Sequence, residues 1–141
     1  MNFKKLPLQK NYFFSKQYKK VLYYAFLEAK YNELPTVNLN CLLYGLLKSE
    51  FSLSKSILDK INYSKKSVLL KKIKLLIKEQ KESKVIDNLN EPPILSKTVR
   101  QIIFNSICQS KSFIITTDDL LLALLSNLKS QKLIVDLIFE I

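Results

Sequence analysis

The strongest constraint on the fold is a helical spacing of apolar residues that occurs twice along the chain. The segment SKQYKKVLYYAFLEAK begins at Ser15, and SKTVRQIIFNSICQSK, which aligns with it without gaps, begins at Ser96. In both segments apolar or small residues recur at i, i+3, i+4, i+7, i+8 and i+11, which places them on one face of an α-helix. The spacing therefore predicts two equivalent amphipathic helices. The two faces consist of Tyr18, Val21, Leu22, Ala25, Phe26 and Ala29, and of Val99, Ile102, Ile103, Ser106, Ile107 and Ser110.

Two further segments repeat in the same order. LNCLLYGLL, from Leu39, matches TDDLLLALL, from Thr117, and SKSILDKINY, from Ser54, is similar to QKLIVDLIFEI, from Gln131. One match between leucine-rich helices could arise by chance, whereas three matches in the same order indicate an internal duplication. We call this correspondence between the three pairs of segments the repeat alignment.

The duplication predicts an all-α fold in which two pseudo-symmetric repeats pack their apolar faces together as one bundle. A chain of 141 residues is long enough for one ordinary domain with its own core. We assign repeat one to residues 12–83 and repeat two to residues 96–141. Residues 84–95 contain two adjacent prolines and no helical period, which is typical of a linker.

Repeat one is predicted to contain four helices. The first follows Ser15 as its N-cap, and the others cover about residues 39–48, 54–61 and 64–81. Repeat two contains three such patterns, so it lacks the last helix of a four-helix repeat. The only strand-like stretch, FIITT at residues 113–117, is interpreted as an extended loop.

The residue inventory argues against catalysis. The chain has no histidine, which removes the commonest general base and the commonest metal ligand. Its single glycine, Gly45, excludes a glycine-rich phosphate loop. Cys41 and Cys108 lie within apolar helical patterns, so we expect two reduced thiols in or near the core. The sequence therefore predicts a protein that is not an enzyme and that uses no cofactor and no metal ion.

The positive charge is concentrated in the first two-thirds of the chain. Residues 1–90 contain 18 lysines and 7 acidic residues, whereas residues 91–141 contain five basic and five acidic residues. Arg100 is the only arginine, although arginine is the residue that specific nucleic-acid readers favour. Abundant lysine, asparagine and isoleucine with little glycine or alanine is the bias that an AT-rich genome imposes. We therefore expect no nucleic-acid partner.

No apolar run is long enough to span a bilayer, and the N-terminal residues do not form a secretory signal. Two segments nevertheless allow more than one interpretation. The lysine-rich helix at residues 64–84 either packs in the bundle or binds an anionic membrane surface or phosphate backbones. The aromatic residues near the N-terminus either pack on the bundle or form a surface for peptides; they are Phe3, Tyr12, Phe13 and Phe14.

The order of these elements resembles a known family. Each repeat has a helix with small residues four apart, at Ala25 and Ala29 and again at Ser106 and Ser110, then a polar loop and a leucine-rich helix. This order is similar to the Clp N-terminal domain, the double repeat that begins the ClpC, ClpA and ClpB class of AAA+ unfoldases. The resemblance is closest to the ClpC type and covers about residues 12–139.

The sequence departs from the family pattern at several points. The family's Thr-Glu-His motif corresponds to residues 39–41, Leu-Asn-Cys, in repeat one and to residues 117–119, Thr-Asp-Asp, in repeat two. The Gly-His of the preceding loop is missing from both copies. The eighth helix of the family is missing or cut off. The 141 residues contain no Walker sequence of an ATPase module.

The resemblance implies binding residues at the helix starts. In bacterial ClpC the acid of each Thr-Glu-His motif helps to bind phosphoarginine tags, and those acids correspond to Asn40 and Asp118. Ser15 and Ser96 match family positions near the tag sites. Each residue also has a purely structural interpretation, since Thr117 can cap a helix whose dipole Asp118 complements, and Asn38 or Asn40 can cap the other. An amide at residue 40 removes one of two charges that would hold a guanidinium.

The resulting hypothesis is a noncatalytic substrate- or adaptor-recognition module of a ClpC-type unfoldase and its Clp protease. Its partners would be ClpC-type ATPase modules or the Clp protease core, together with adaptor or substrate peptides. One alternative is a stand-alone accessory that docks on the Clp protease ring. An alternative of another class is a basic helical protein that binds nucleic acid or anionic membrane. The residue bias and the resemblance together suggest a plastid stroma, or otherwise a bacterial-type cytoplasm.

Overall fold

The computed structural model describes residues 12–49, 63–81 and 92–139, and these residues are mostly helical. The prediction of an all-α fold is confirmed in this general sense. Within the described ranges the chain forms six helices and four very short strands. In chain order they are β1 (Phe13–Phe14), α1 (Lys16–Tyr31), β2 (Thr36–Val37), α2 (Leu39–Ser49), α3 (Tyr63–Lys81), β3 (Ile94–Leu95), α4 (Lys97–Gln109), β4 (Ile114–Ile115), α5 (Thr117–Leu125) and α6 (Leu128–Phe139).

The helix boundaries agree closely with the apolar spacing. Helices α1 and α4 begin directly after Ser15 and Ser96, as predicted, and α3 begins one residue before its predicted start. The predicted helix at residues 54–61 lies outside the described residues, and so does the linker up to residue 91. The end of that linker is described, and it forms β3 rather than an irregular connection.

The absence of strands was predicted wrongly. The FIITT stretch contains β4, which pairs in parallel with β1, and β2 pairs in parallel with β3. Strands as short as these cannot show an alternating apolar pattern, so the sequence contains no signal for them. They form because a partner distant in sequence satisfies their backbone N–H and C=O groups.

The two strand pairs are equivalent to each other. In each, the strand that precedes a repeat's first helix pairs with the strand that precedes the other repeat's second helix. When the repeat alignment is extended to the strands, each of the following hydrogen bonds of one pair corresponds to one of the other pair. These bonds run from Phe13 N to Phe113 O (2.8 Å), Ser15 N to Ile115 O (2.9 Å), Ile94 N to Pro35 O (3.2 Å) and Ser96 N to Val37 O (3.0 Å).

The core consists of the predicted faces of α1 and α4 together with most of α2 and α5. All six predicted positions of α4 are buried. On α1, Leu22 and Phe26 are only half-buried, whereas the other four predicted positions are buried. A hydrogen bond of 2.7 Å between the Tyr18 hydroxyl and Ser106 Oγ connects the two faces inside the core. Because this pair is buried and satisfied, it fixes the relative position of α1 and α4.

Helix α3 packs against α2 through its buried residues Leu69, Ile73 and Ile77. At its edge Lys74 Nζ lies 4.0 Å from Glu28 Oε1 and 5.3 Å from the centre of the Tyr44 ring. Glu28 is largely buried and also accepts a hydrogen bond from Asn32 Nδ2. The lysine-rich helix therefore contributes an apolar face to the core, in agreement with the bundle interpretation.

Most of the described N-terminal aromatic residues pack on the bundle. The Phe14 ring stacks on the Tyr18 ring at a centroid distance of 4.4 Å, and Tyr12 meets Phe14 edge-on. Phe13 differs from them because 69% of its surface is exposed. Phe3 lies outside the described residues.

Helices α1 and α2 approach each other closely at Gly45. A Cβ atom added at this position would lie 2.3 Å from the backbone oxygen of Val21 and 3.1 Å from the nitrogen of Ala25. Both neighbours are backbone atoms of α1, so no side-chain rotation can relieve the clash. Glycine is needed at residue 45 because no side chain fits there. Its backbone conformation does not require glycine, since its φ angle is not positive.

We predict that Gly45→Ala destabilises the protein by about 1–3 kcal/mol, because the added methyl group forces α1 and α2 apart. Alanine has the better helix propensity by about 1 kcal/mol, so without the clash this substitution would stabilise the protein. Urea unfolding followed by circular dichroism measures the difference. Lys48→Ala, at an exposed position of the same helix, is the control and should change stability by less than about 0.5 kcal/mol. An unchanged or raised stability of Gly45→Ala would contradict the close approach.

Candidate functional site

The strand pairs place helix N-termini beside each other. Strand β1 leads into α1 and β4 leads into α5, so the parallel pairing of β1 with β4 places Ser15 next to Thr116. We call Ser15 together with residues 116–118 the first helix-start pair. Two predicted site residues, Thr117 and Asp118, are thereby brought close to Ser15, although they belong to the opposite half of the chain.

The same arrangement occurs at the other strand pair. Strand β3 leads into α4 and β2 leads into α2, which places Ser96 next to Asn38. We call Ser96 together with residues 38–40 the second helix-start pair, and it contains the predicted residue Asn40. Each pair combines one segment from each half of the chain, so neither half contains a complete pair.

Ser15 and Ser96 are N-caps, as their positions predict. The amide of Tyr18 donates to Ser15 Oγ at 3.1 Å, and the amide of Val99 donates to Ser96 Oγ at 3.2 Å. At α2 the cap is Asn38, whose Oδ1 accepts from the amide of Cys41 at 3.1 Å. Of the two asparagines considered for this role, Asn40 is therefore not the cap.

The predicted cap of α5 was wrong by one residue. Thr116 is the N-cap, and Thr117 is the first residue of the helix and is buried. The amide of Asp119 donates to Thr116 Oγ1 at 3.4 Å, while the amide of Thr116 donates to Asp119 Oδ2 at 2.9 Å. This reciprocal capping box needs an acceptor three residues after the cap. Only Thr116 can form the box, because the residue three positions after it is Asp119, whereas the residue three positions after Thr117 is Leu120.

Asn40 and Asp118 share one unusual property. Each has an Oδ1 atom that is buried and has no hydrogen-bond partner. The two residues are also equivalent, since the repeat alignment pairs one with the other. Leaving a buried acceptor unsatisfied costs about 1–3 kcal/mol, so its repetition at both helix-start pairs is evidence for a binding role. Both atoms are closed to solvent in this conformation, so a ligand that donates a hydrogen bond reaches either of them only after its side chain rotates outward.

The two pairs differ in charge. In each pair two helix N-termini lie side by side, and the positive end of a helix dipole favours anions. In the second pair neither helix has an acidic residue in its first turn. In the first pair α5 adds two carboxylates, at Asp118 and Asp119. The second pair therefore favours an anion alone, whereas the first pair can also hold a cationic group.

Two titratable groups near the pairs are held in their neutral form. Burial is the main cause that raises the pKa of Tyr18, and the nearby Asp119 raises it further, while the hydrogen bond with Ser106 opposes the shift. Burial likewise raises the pKa of the Cys41 thiol to about 11. Cys41 is therefore a core thiol and not a nucleophile.

The sequence predicted the serine caps and gave Asn38 as one of two candidates for the cap of α2, but it missed the cap formed by Thr116 and Asp119. The pattern of a threonine followed three positions later by an acidic residue could have suggested that cap. In the part of the chain that the structure describes, no three His, Cys, Asp or Glu side chains come together as a metal site would require. No helix in those ranges combines the length and apolar character needed to cross a bilayer.

Comparison with known proteins adds no assignment, since neither a protein-family model nor a curated protein matches the chain at a significant level.

We predict that Thr116→Val destabilises the protein by about 0.5–2 kcal/mol, because it removes the capping hydroxyl and keeps the shape of the side chain. Thr117→Val is the matched control and should cost less, since the Thr117 hydroxyl does not cap α5. Thermal unfolding of the two variants compares them directly. Equal losses, or a larger loss for Thr117→Val, would contradict the position of the cap.

The raised pKa of the Cys41 thiol predicts a change in the stability of the protein at alkaline pH. The Cys41 pKa rises from 9.0 to about 11 on folding. Above pH 9 the unfolded chain releases this proton while the folded chain retains it, so the free energy of unfolding falls as the pH rises from 9 to 11. Cys41→Ala should reduce this slope in urea unfolding at several pH values. Val37→Ala truncates another buried side chain without removing a titrating group, and it should retain the wild-type slope.

Proposed function

We propose that this protein is a noncatalytic module that recognises substrate or adaptor segments, of the type that serves ClpC unfoldases. The observation that carries the proposal is the unsatisfied Oδ1 atom at the same position of both helix-start pairs. A protein that binds peptide groups at two equivalent positions needs such acceptors, whereas a purely structural bundle loses stability through them. The resemblance of the repeats to the Clp N-terminal domain supports the same conclusion.

In this proposal the first helix-start pair is the principal binding site. Its helix N-termini attract the anionic part of a ligand, and Asp118 attracts a guanidinium or another cationic donor. Asn40 offers a neutral acceptor at the equivalent position, so the second pair binds a guanidinium more weakly. Ser15 and Ser96 hold the helix starts in place, and Thr117 fixes the first turn of α5 beneath the site.

The module contributes recognition and leaves the ATP-dependent work to its partners. These are a ClpC-type ATPase module or a Clp protease core, and adaptor or substrate peptides are the ligands. Holding a peptide close to an ATPase raises its local concentration there, which increases the rate of capture without new contacts in the pore. The AT-rich residue bias makes a plastid stroma the location that we propose.

We predict that Asp118→Asn weakens the binding of a phosphoarginine peptide by roughly tenfold or more, because a charge-assisted hydrogen bond is lost. Asn40→Asp supplies the missing carboxylate at the second pair and should raise the stoichiometry from one peptide per chain to two. Isothermal titration calorimetry measures both quantities. The same peptide with unmodified arginine shows how much of the affinity the phosphate contributes.

Two results would contradict this proposal. One is peptide binding that is the same in wild type, Asp118→Asn and Asn40→Asp. The other is binding to generic DNA or to anionic vesicles at physiological salt that exceeds binding to every Clp partner in a pull-down. The exposed lysines of α3, Lys71, Lys74 and Lys78, would explain that second result.

A further inference from the structure

Helix α5 exposes an apolar face that its counterpart in the first half of the chain keeps buried. The repeat alignment pairs residues 42–47 of α2 with residues 120–125 of α5. At four of these six positions both members of the pair are buried. The other two positions differ: Tyr44 and Leu47 are 8% and 9% exposed, whereas Leu122 and Leu125 are 51% and 39% exposed. We call Leu122 and Leu125 together the open α5 face.

The cover over this position in the first half is α3. That helix packs on α2, and its Lys74 lies over the Tyr44 ring. In the described ranges the helices with the main contacts to α5 are α1, α4 and α6, and none of them takes the place that α3 takes on α2. The protein therefore contains its own example of what fits this surface, which is an amphipathic helix with apolar residues at i, i+4 and i+8, as in Leu69, Ile73 and Ile77.

The residues around the open α5 face also indicate which side chain such a helix needs at the position of Lys74. In the first half Lys74 is held by the Glu28 carboxylate and by the Tyr44 ring. In the repeat alignment Gln109 is the equivalent of Glu28, and Leu122 is the equivalent of Tyr44. Neither of them attracts a cation. A helix that fits α5 therefore has an apolar residue where α3 has Lys74, since a lysine there would lose water without gaining a partner.

We propose that the open α5 face is a docking surface for an amphipathic helix of a partner protein, which packs on α5 as α3 packs on α2. The partner helix is long enough to present apolar side chains at i, i+4 and i+8, and it presents a further apolar side chain to Leu122. This surface is separate from both helix-start pairs and does not depend on the function proposed for them.

A peptide with the sequence of residues 63–81 and the substitution Lys74→Leu is a direct probe. Labelled with a fluorophore, it is titrated with the full chain, and binding is followed by fluorescence polarisation. We expect saturable binding that Leu122→Lys and Leu125→Lys each weaken by about tenfold or more, because each removes a leucine from the contact. The peptide that keeps Lys74 should bind several-fold more weakly.

Leu75→Lys is the matched control, since Leu75 is 60% exposed on α3 and lies outside the open α5 face. It should leave the affinity for the peptide unchanged. Circular dichroism checks the folding of each variant, and Leu122→Ala replaces any lysine variant that does not fold. Sedimentation of the chain without peptide, at several concentrations, gives the oligomeric state.

Three results would overturn the proposal. The peptide fails to bind at any concentration tested. It binds with equal affinity to wild type and to Leu122→Lys, which shows that it binds elsewhere on the protein. The chain alone forms a dimer that Leu122→Lys dissociates, which shows that a second copy covers the face.

Discussion

The pairing of strands from the two halves of the chain is the interaction on which the rest of the structure depends. Strand β1 pairs with β4, and β3 pairs with β2, so each pair takes one strand from either half. Backbone hydrogen bonds of 2.8 to 3.2 Å contribute to both pairs. Strands of two residues contribute little stability by themselves. Their pairing nevertheless determines which helix starts lie next to each other. The helix-start pairs exist because the halves are joined in this way.

The core adds two contacts that leave little room for change, one within the first half of the chain and one between the halves. Gly45 allows α2 to approach the backbone of α1, and a methyl group there would lie 2.3 Å from the Val21 oxygen. The Tyr18–Ser106 hydrogen bond of 2.7 Å links α1 to α4. Tyr18 lies one turn below the cap formed by Ser15, so the first helix-start pair rests on a buried contact between both halves.

The two halves of the chain differ at two equivalent places that bear on the proposed functions. At the helix starts, Asp118 and Asn40 occupy equivalent positions with the same unsatisfied Oδ1 atom but a different charge. On the second helix of each half, Leu122 and Leu125 are exposed where Tyr44 and Leu47 are buried. The repeat alignment supplies an internal reference for both differences. The first suggests unequal ligand sites, and the second suggests a helix that another protein supplies.

The sequence by itself determined the helices and the apolar faces, because a helix depends on residues three and four positions apart that every window of the chain contains. It also determined the serine caps at residues 15 and 96 for this reason. Only the tertiary structure decided which helix starts meet and which leucines stay exposed. These features depend on partners in the opposite half of the chain, and such short strands leave no periodic signal that could predict their pairing.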